Sequence, residues 1–427
     1  MNFINKIMGY LMKFVNTRPI VALKDGFLFT MPLTIIGSLF LLIGNLPING
    51  YSDFMAGIFG SNWNIPLEQV TGGTYDMLAL IAAFGIAYSF TKNENIDGVP
   101  AGILAIVSFC IVAKSKIMVA DQTISALPRE FTGSKGVIAA ILLGIMVGYV
   151  YTFLVKHDIR IKMPEGVPTG VANAFTSLIP GLCITLISFI IFIIFQVAFE
   201  TTFIEQIYTT LQTPLQNLLN SPIAVILIPL LISLFWWFGV HGSNVVGGII
   251  SPILMASSMA NQAIIDQGIA LIPGENAVII TDQFYSQFIT FTGCGITMGL
   301  VINMFILSKS KQFKQLGRLS LVPACFNINE PVIFGLPIVL NPLMLVPYIL
   351  VPVLSSIITF TAIKTGIMQP FGGVMVPWTT PPIISGLLVG GWKAAVLQVI
   401  VIILSTVIYH PFFKALDKQA AAIENGN

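Results

Sequence analysis

Two titratable side chains are conspicuous by their isolation. From Gln206 to Ile265 the chain carries no Asp, Glu, Lys or Arg, and the imidazole in that stretch is His241, within Trp236-Trp237-Phe238-Gly239-Val240-His241-Gly242-Ser243-Asn244. From Leu319 to Ile363 the only charged residue is Glu330, within Pro323-Ala324-Cys325-Phe326-Asn327-Ile328-Asn329-Glu330-Pro331. An ionisable side chain at membrane depth costs about 2.5 kcal/mol or more, so by default it marks a site. The glycines beside His241 stop a regular helix and let backbone approach a ligand. Pro331 restricts Glu330 to extended geometry and disfavours helix there. Non-helical backbone survives inside a membrane only where it is buried in protein or lines a cavity. The Asn-Glu-Pro segment therefore reads as a re-entrant hairpin with a carboxylate at its tip. The competing readings are a His hydrogen-bonded within packed protein and a Glu exposed on an interfacial loop.

Two uncharged stretches add polar surface. Gln369-Pro370-Phe371-Gly372-Gly373 and Val376-Pro377-Trp378-Thr379-Thr380-Pro381-Pro382 combine Pro, Gly, Thr and Trp. A Trp face stacks on a sugar ring and Thr hydroxyls bond to sugar hydroxyls, although an interfacial aromatic belt explains the same residues. Thr292-Gly293-Cys294-Gly295-Ile296-Thr297 is expected to be a helix-packing face of small residues rather than a ligand loop. One Glu, one His, amides, hydroxyls and Trp suit a neutral polyhydroxylated ligand. No Arg clamp addresses an anion and no acidic cluster suggests a cation pore. Cys110, Cys183, Cys294 and Cys325 form no CxxC pair, so neither a metal site nor a disulfide framework is expected.

The elements that must position these groups follow from composition. The chain has 427 residues, 56% hydrophobic and 9% charged, with a formal net charge of +2. Soluble domains carry about 25% charged residues. So little charge excludes an ordinary soluble enzyme and a disordered chain, and the near-neutral balance excludes a nucleic-acid binder. What remains is an all-α polytopic membrane protein of about ten spans. Apolar runs lie at 26–47, 77–90, 102–120, 136–155, 171–198, 222–240, 284–307, 340–363 and 383–409. Residues 200–220 mix polar and apolar positions and read as an amphipathic interfacial helix joining an N-terminal part, 1–199, to a C-terminal part, 221–427. Lys6, Lys13, Arg18 and Lys24 before the first run, and Lys414 and Lys418 near the end, place both termini in the cytoplasm. Lys156, Arg160 and Lys162 mark another cytoplasmic loop, as do Lys309, Lys311, Lys314 and Arg318. Lys114, Lys116, Arg129 and Lys135 conflict with the positive-inside rule. The N-terminus shows no cleavable signal pattern.

At these residues the sequence resembles a known family. Trp237 to Gly242, the Phe326-Asn327-Ile328-Asn329-Glu330-Pro331-Val332-Ile333-Phe334-Gly335-Leu336-Pro337 stretch, and Pro377 to Pro382 closely resemble the membrane enzyme IIC component of the bacterial phosphoenolpyruvate-dependent sugar phosphotransferase system, in its lactose/cellobiose/diacetylchitobiose branch. The likeness spans essentially the whole chain, including Met31-Pro32-Leu33-Thr34. One departure is Cys294, where the family often has Ser, which weakens a polar role there. The resemblance implies ten spans plus two re-entrant hairpins and a homodimer built on residues 1–199. It implies a sugar-binding half at 221–427 that moves as an elevator, in a bacterial cell membrane. Glu330 and His241 match the family's key site residues. Asn329, Trp237, Asn244, Trp378, Thr379 and Thr380 are the expected substrate contacts. The substrate would be a β-linked disaccharide of cellobiose or diacetylchitobiose type, phosphorylated at its 6-hydroxyl by a phosphocysteine on a separate IIB chain served by IIA. No cofactor is implied. A carboxylate desolvated in such a hairpin suits the role of general base. The alternative class is an ion-coupled secondary transporter of a small polar solute; a membrane-embedded hydrolase would need paired carboxylates or a metal cluster.

Overall fold

The computed structural model describes residues 9, 13–14, 16–44, 46, 50–119, 122–164, 166–336 and 338–424. Lys6, the run ends at Pro47 and Ala120, and Pro337 of the Asn-Glu-Pro stretch lie outside the described residues. The chain divides into two compact units, one of 1–37 and 68–216, the other of 38–67 and 217–427. Its N-terminal helices are α1 (Arg18–Phe27), α2 (Met31–Gly44), α3 (Tyr51–Phe59), α4 (Ile65–Tyr75), α5 (Leu78–Lys92) and α6 (Val99–Val112). A hairpin of β1 (Lys116–Val119) and β2 (Gln122–Ser125) follows, then α7 (Val137–Lys156), α8 (Thr169–Thr176) and α9 (Leu178–Ala198).

The core of the first unit is built from small residues. Ala79, Ala82, Ala83 and Ala87 of α5 and Ala139 and Ala140 of α7 are fully buried. Apolar burial gives no net gain between helices in lipid, so close backbone approach has to hold them together. Gly26 and Gly85 show how close: a Cβ on Gly85 would lie 2.3 Å from the Gly26 carbonyl oxygen. The α9 helix instead turns Leu182, Leu186, Phe189 and Ile193 outward. After it, Thr202 and Glu205 form a reciprocal capping box. The segment Phe203–Leu219 that follows is helical, with a π-turn at Tyr208–Gln212. In the loop at 157–162, hydrogen bonds from Lys162 and then Arg160 hold the Asp158 carboxyl below the usual carboxylate range.

The second unit holds α10 (Pro222–Trp237), α11 (Gly242–Asp266), α12 (Met298–Leu307), α13 (Lys311–Cys325), α14 (Glu330–Gly335), α15 (Pro342–Lys364) and α16 (Ile384–Glu424). Two amides tie its helices together. Asn303 on α12 donates to the carbonyls of Gly299 and Thr406. Gln398 on α16 accepts from the Ile383 and Gly386 amides and donates to the Gln287 carbonyl. The far end of α16 clasps the turn that begins α13. Asp417, 5% exposed, accepts from Ser308 Oγ and from the Lys309 and Ser310 amides. Glu424 accepts from Ser310 Oγ and from the Lys311 and Gln312 amides. These carboxylates satisfy N–H groups that open a helix and have no partner within it.

Several apolar runs differ from the helices they become. Among the described residues, seven helices are long and apolar enough to cross a membrane, or eight if Phe203–Leu219 and Pro222–Trp237 make one span. The run at 102–120 stops being helix at Val112, and Lys116 enters the β-hairpin. Two of the cations at odds with the positive-inside rule have acidic partners: Lys114 lies 3.8 Å from Glu205, and Lys135 pairs with Glu130. The run at 284–307 is not one span. It divides into a π-turn at Tyr285–Ile289, a glycine-rich turn and the ten-residue α12. The run at 383–409 breaks at Gly390 and Gly391 and then continues to Glu424. A 25-residue helix, α11, runs where Gly247, Gly248 and Pro252 hide a span from hydropathy reading.

Candidate functional site

His241 stands in the joint between α10 and α11. The α10 helix ends with Gly239 in the left-handed region at φ +82, its amide reaching the Trp236 carbonyl and the Val240 amide the Phe235 carbonyl. That is a Schellman cap, which needs a residue without a Cβ penalty at this position. Gly242 then lets the chain turn against α10, since a Cβ there would fall 2.0 Å from the Ile232 carbonyl oxygen. His241 caps α11: its Nδ1 accepts from the Asn244 amide at 3.3 Å and contacts Ser243 Oγ at 3.1 Å. With Nδ1 an acceptor, the proton of the neutral ring is on Nε2, a donor. The ring packs on Trp236 at 4.3 Å between centroids, and its outer side is exposed.

Two chain reversals meet beside it. The first, Thr290–Thr297, carries left-handed backbone at Thr292, Gly293, Gly295 and Ile296. For the β-branched Thr292 and Ile296 this costs about 1–3 kcal/mol each, so the surroundings must over-determine it. They do: the Thr292 amide donates to Asn327 Oδ1 at 2.6 Å, Ser405 Oγ donates to the Ile296 carbonyl and Tyr409 OH to the Gly295 carbonyl. The expected helix-packing face is therefore a non-helical turn. Its glycines admit Asn329 and Tyr348, as a Cβ on Gly293 or Gly295 would fall 2.2 or 2.3 Å from them.

The second reversal joins α13 to α14. Asn327, at φ +64, follows the end of α13 in another Schellman cap, with Asn327 N–H to Ala324 O and Ile328 N–H to Pro323 O. Asn tolerates the left-handed region better than other side-chain-bearing residues. Glu330 is not held extended by Pro331. It begins α14, because Pro within a first turn lacks only an N–H that the turn does not use. Its side chain is exposed rather than buried in the hairpin.

Cys294 links the two halves of the site. It faces Ser243 and Trp236 beside His241 and lies within electrostatic reach of Glu330. Tyr348 likewise feels Cys294 and Glu330. The structure thus brings His241, Glu330 and the Thr292–Thr297 turn into one region. The other expected contacts divide. Trp378 is 56% exposed, and Thr379 and Thr380 are half-buried beside it. The Asn244 side chain is exposed. Trp237 donates Nε1 to the Asn341 carbonyl, leaving only its ring. Asn329 is buried, and its Nδ2 donates to the Cys294 carbonyl at 2.7 Å and to Thr297 Oγ1 at 3.1 Å. Sequence reading passed over Asn327, Trp236 and Tyr348. The clue for Asn327 was an Asn just past the end of the amphipathic α13. Tyr348 OH is buried and finds no hydrogen-bond partner among the described residues. Among the described residues no three His, Cys, Asp or Glu side chains gather as metal ligands would.

Comparison with known proteins identifies the family and the fold. The family model described as phosphotransferase system, EIIC matches residues 24–352. The chain is 37% identical to the lichenan permease IIC component of Bacillus subtilis (strain 168), over 98% of this chain and 94% of that protein. It is 37% identical to a cellobiose-specific EIIC component of Geobacillus stearothermophilus, over 99% and 95% respectively. Among solved structures, the transporter ChbC, the IIC component of an N,N'-diacetylchitobiose-specific phosphotransferase system, matches all of both chains with a TM-score of 0.94 and 37% identity.

Proposed function

The chain belongs to the phosphotransferase system EIIC family, and from that premise we propose that it takes up a β-linked disaccharide of the cellobiose or diacetylchitobiose type and presents its 6-hydroxyl for phosphorylation. The observation that supports this reading is that Cys294, in the turn bonded to Asn329, faces Ser243 beside His241 and lies within electrostatic reach of the exposed Glu330. Relatives named for cellobiose and lichenan, and a solved neighbour named for diacetylchitobiose, support the sugar class.

The roles follow from chemistry. A phosphocysteine on a separate IIB chain, itself charged by IIA, attacks nothing; it is attacked by the sugar 6-oxygen. The S–P bond breaks as the O–P bond forms, and Glu330 accepts the hydroxyl proton as general base. His241 Nε2–H, at the positive end of α11, donates to the developing negative oxygen. Trp378, and the ring of Trp237, offer faces to the sugar; Asn244, Thr379 and Thr380 offer hydrogen bonds. Asn329 acts on the hairpin tip itself. The chain carries no phosphorylated residue of its own. Around this site stands an assembly of ten spans and two re-entrant hairpins in the bacterial cell membrane, with both termini cytoplasmic. Residues 1–199 form the homodimer interface against lipid, 200–220 the linker, and 221–427 the sugar-binding half that moves as an elevator.

Proteoliposomes decide the reading. Uptake of labelled cellobiose or diacetylchitobiose that requires phosphoenolpyruvate, IIA and IIB, and delivers the sugar phosphate, supports it. Uptake of the unmodified sugar driven by a proton or sodium gradient alone refutes it in favour of an ion-coupled transporter.

A further inference from the structure

The Asn327 amide bonds to two other segments of the second unit. Its Oδ1 accepts the Thr292 N–H at 2.6 Å, and its Nδ2 donates to the carbonyls of Trp378 at 2.6 Å and Thr380 at 2.9 Å. The orientation of the amide is forced, because flipping it would set an oxygen against two carbonyl oxygens and an NH2 against an N–H. The residue is 8% exposed, so water competes poorly for these bonds. The strip it holds has few backbone donors, since Pro377, Pro381 and Pro382 lack an N–H. Its carbonyls are what remain to anchor it, while the Trp378 ring stands 56% exposed.

We propose that Asn327 is a positioning residue for the sugar site, holding the Trp378–Thr380 strip and the Thr292 turn in register with the hairpin tip that carries Glu330. This rests on the sugar-permease reading above. Asn327 need not touch sugar. It acts through the place it gives the Trp378 ring, and its left-handed backbone is why Asn, with an amide and a tolerance for positive φ, stands there rather than a larger residue.

The test uses the full chain in lipid nanodiscs, with labelled cellobiose and diacetylchitobiose as probes. Asn327→Asp keeps an acceptor for Thr292 but turns an oxygen toward the two carbonyls. Asn327→Gly keeps the backbone geometry without the amide, which guards against a variant that misfolds. Each is expected to weaken sugar binding tenfold or more and to speed hydrogen exchange at the Trp378–Thr380 amides without sugar. Asn327→Asp in a Trp378→Ala background is expected to lose no more than about threefold beyond Trp378→Ala, the non-additivity of residues acting through one contact. Unchanged affinity, unchanged exchange, or fully additive losses would each overturn the proposal. Wild-type protein that binds neither disaccharide would instead overturn the sugar reading, and the exchange measurement would still decide whether Asn327 holds the strip.

Discussion

Gly293→Ala offers a quantitative test of how the two chain reversals fit together. The added Cβ would lie 2.2 Å from Asn329 Cγ and 2.5 Å from Nδ2, and it would sit on backbone at φ +85. Left-handed backbone costs a residue with a Cβ about 1–2 kcal/mol. Moving Asn329 aside breaks its bonds to the Cys294 carbonyl and Thr297 Oγ1, at about 0.5–1.5 kcal/mol net for each. The whole is about 2–5 kcal/mol. Gly268→Ala is the control: it is also left-handed, at φ +72, but its Cβ would meet nothing within 4 Å. The assay is equilibrium binding of labelled disaccharide to purified protein, with thermal unfolding alongside. About 1.4 kcal/mol is a factor of ten in affinity. Both variants carry the left-handed cost, so the difference is the two Asn329 bonds, about 1–3 kcal/mol, and Gly293→Ala should bind at least about fivefold more weakly than Gly268→Ala. Equal binding by the two variants would refute the claim that Asn329 and the glycine turn are mutually fitted.

Two further substitutions probe neighbouring parts. Asp417→Asn removes a buried charge that accepts from Ser308, Lys309 and Ser310; it should destabilise the protein by about 2–4 kcal/mol in denaturant titration while leaving the first unit's helices intact. Cys294→Ser should change sugar affinity by less than about threefold, because Asn329 bonds to the Cys294 carbonyl and not to its thiol.

The membrane class and the isolation of His241 and Glu330 were legible because charge scarcity is a property of composition. A joint at Gly239–Gly242 and a chain reversal before Glu330 were legible because Gly and Pro act locally. Hydropathy failed where apolarity and backbone geometry part company. Residues 284–307 are uncharged and mostly apolar, yet Thr292 and Ile296 are held left-handed by Asn327 and Ser405, distant partners that no local window contains. The α11 helix was missed for the opposite reason, since its glycines, serines and Pro252 lower hydropathy without breaking the helix. Pro331 was read as a helix breaker, when at the start of a helix it is tolerated. The exposure of Glu330 was not legible either, because burial depends on which side of a hairpin tip a side chain leaves. Asn329 looked like a ligand contact by type; its Nδ2 bonds to the facing turn became visible only with that turn in place.

The central claim is that Glu330 takes the proton of the sugar hydroxyl. Its most direct test is single-turnover transfer of phosphate from phosphorylated IIB to a bound disaccharide by Glu330→Gln. Gln keeps the shape but cannot accept the proton. General-base assistance contributes about 10²–10⁴-fold, so the account predicts transfer slowed at least a hundredfold, with sugar binding within about tenfold of wild type. Transfer by Glu330→Gln at close to the wild-type rate would contradict it.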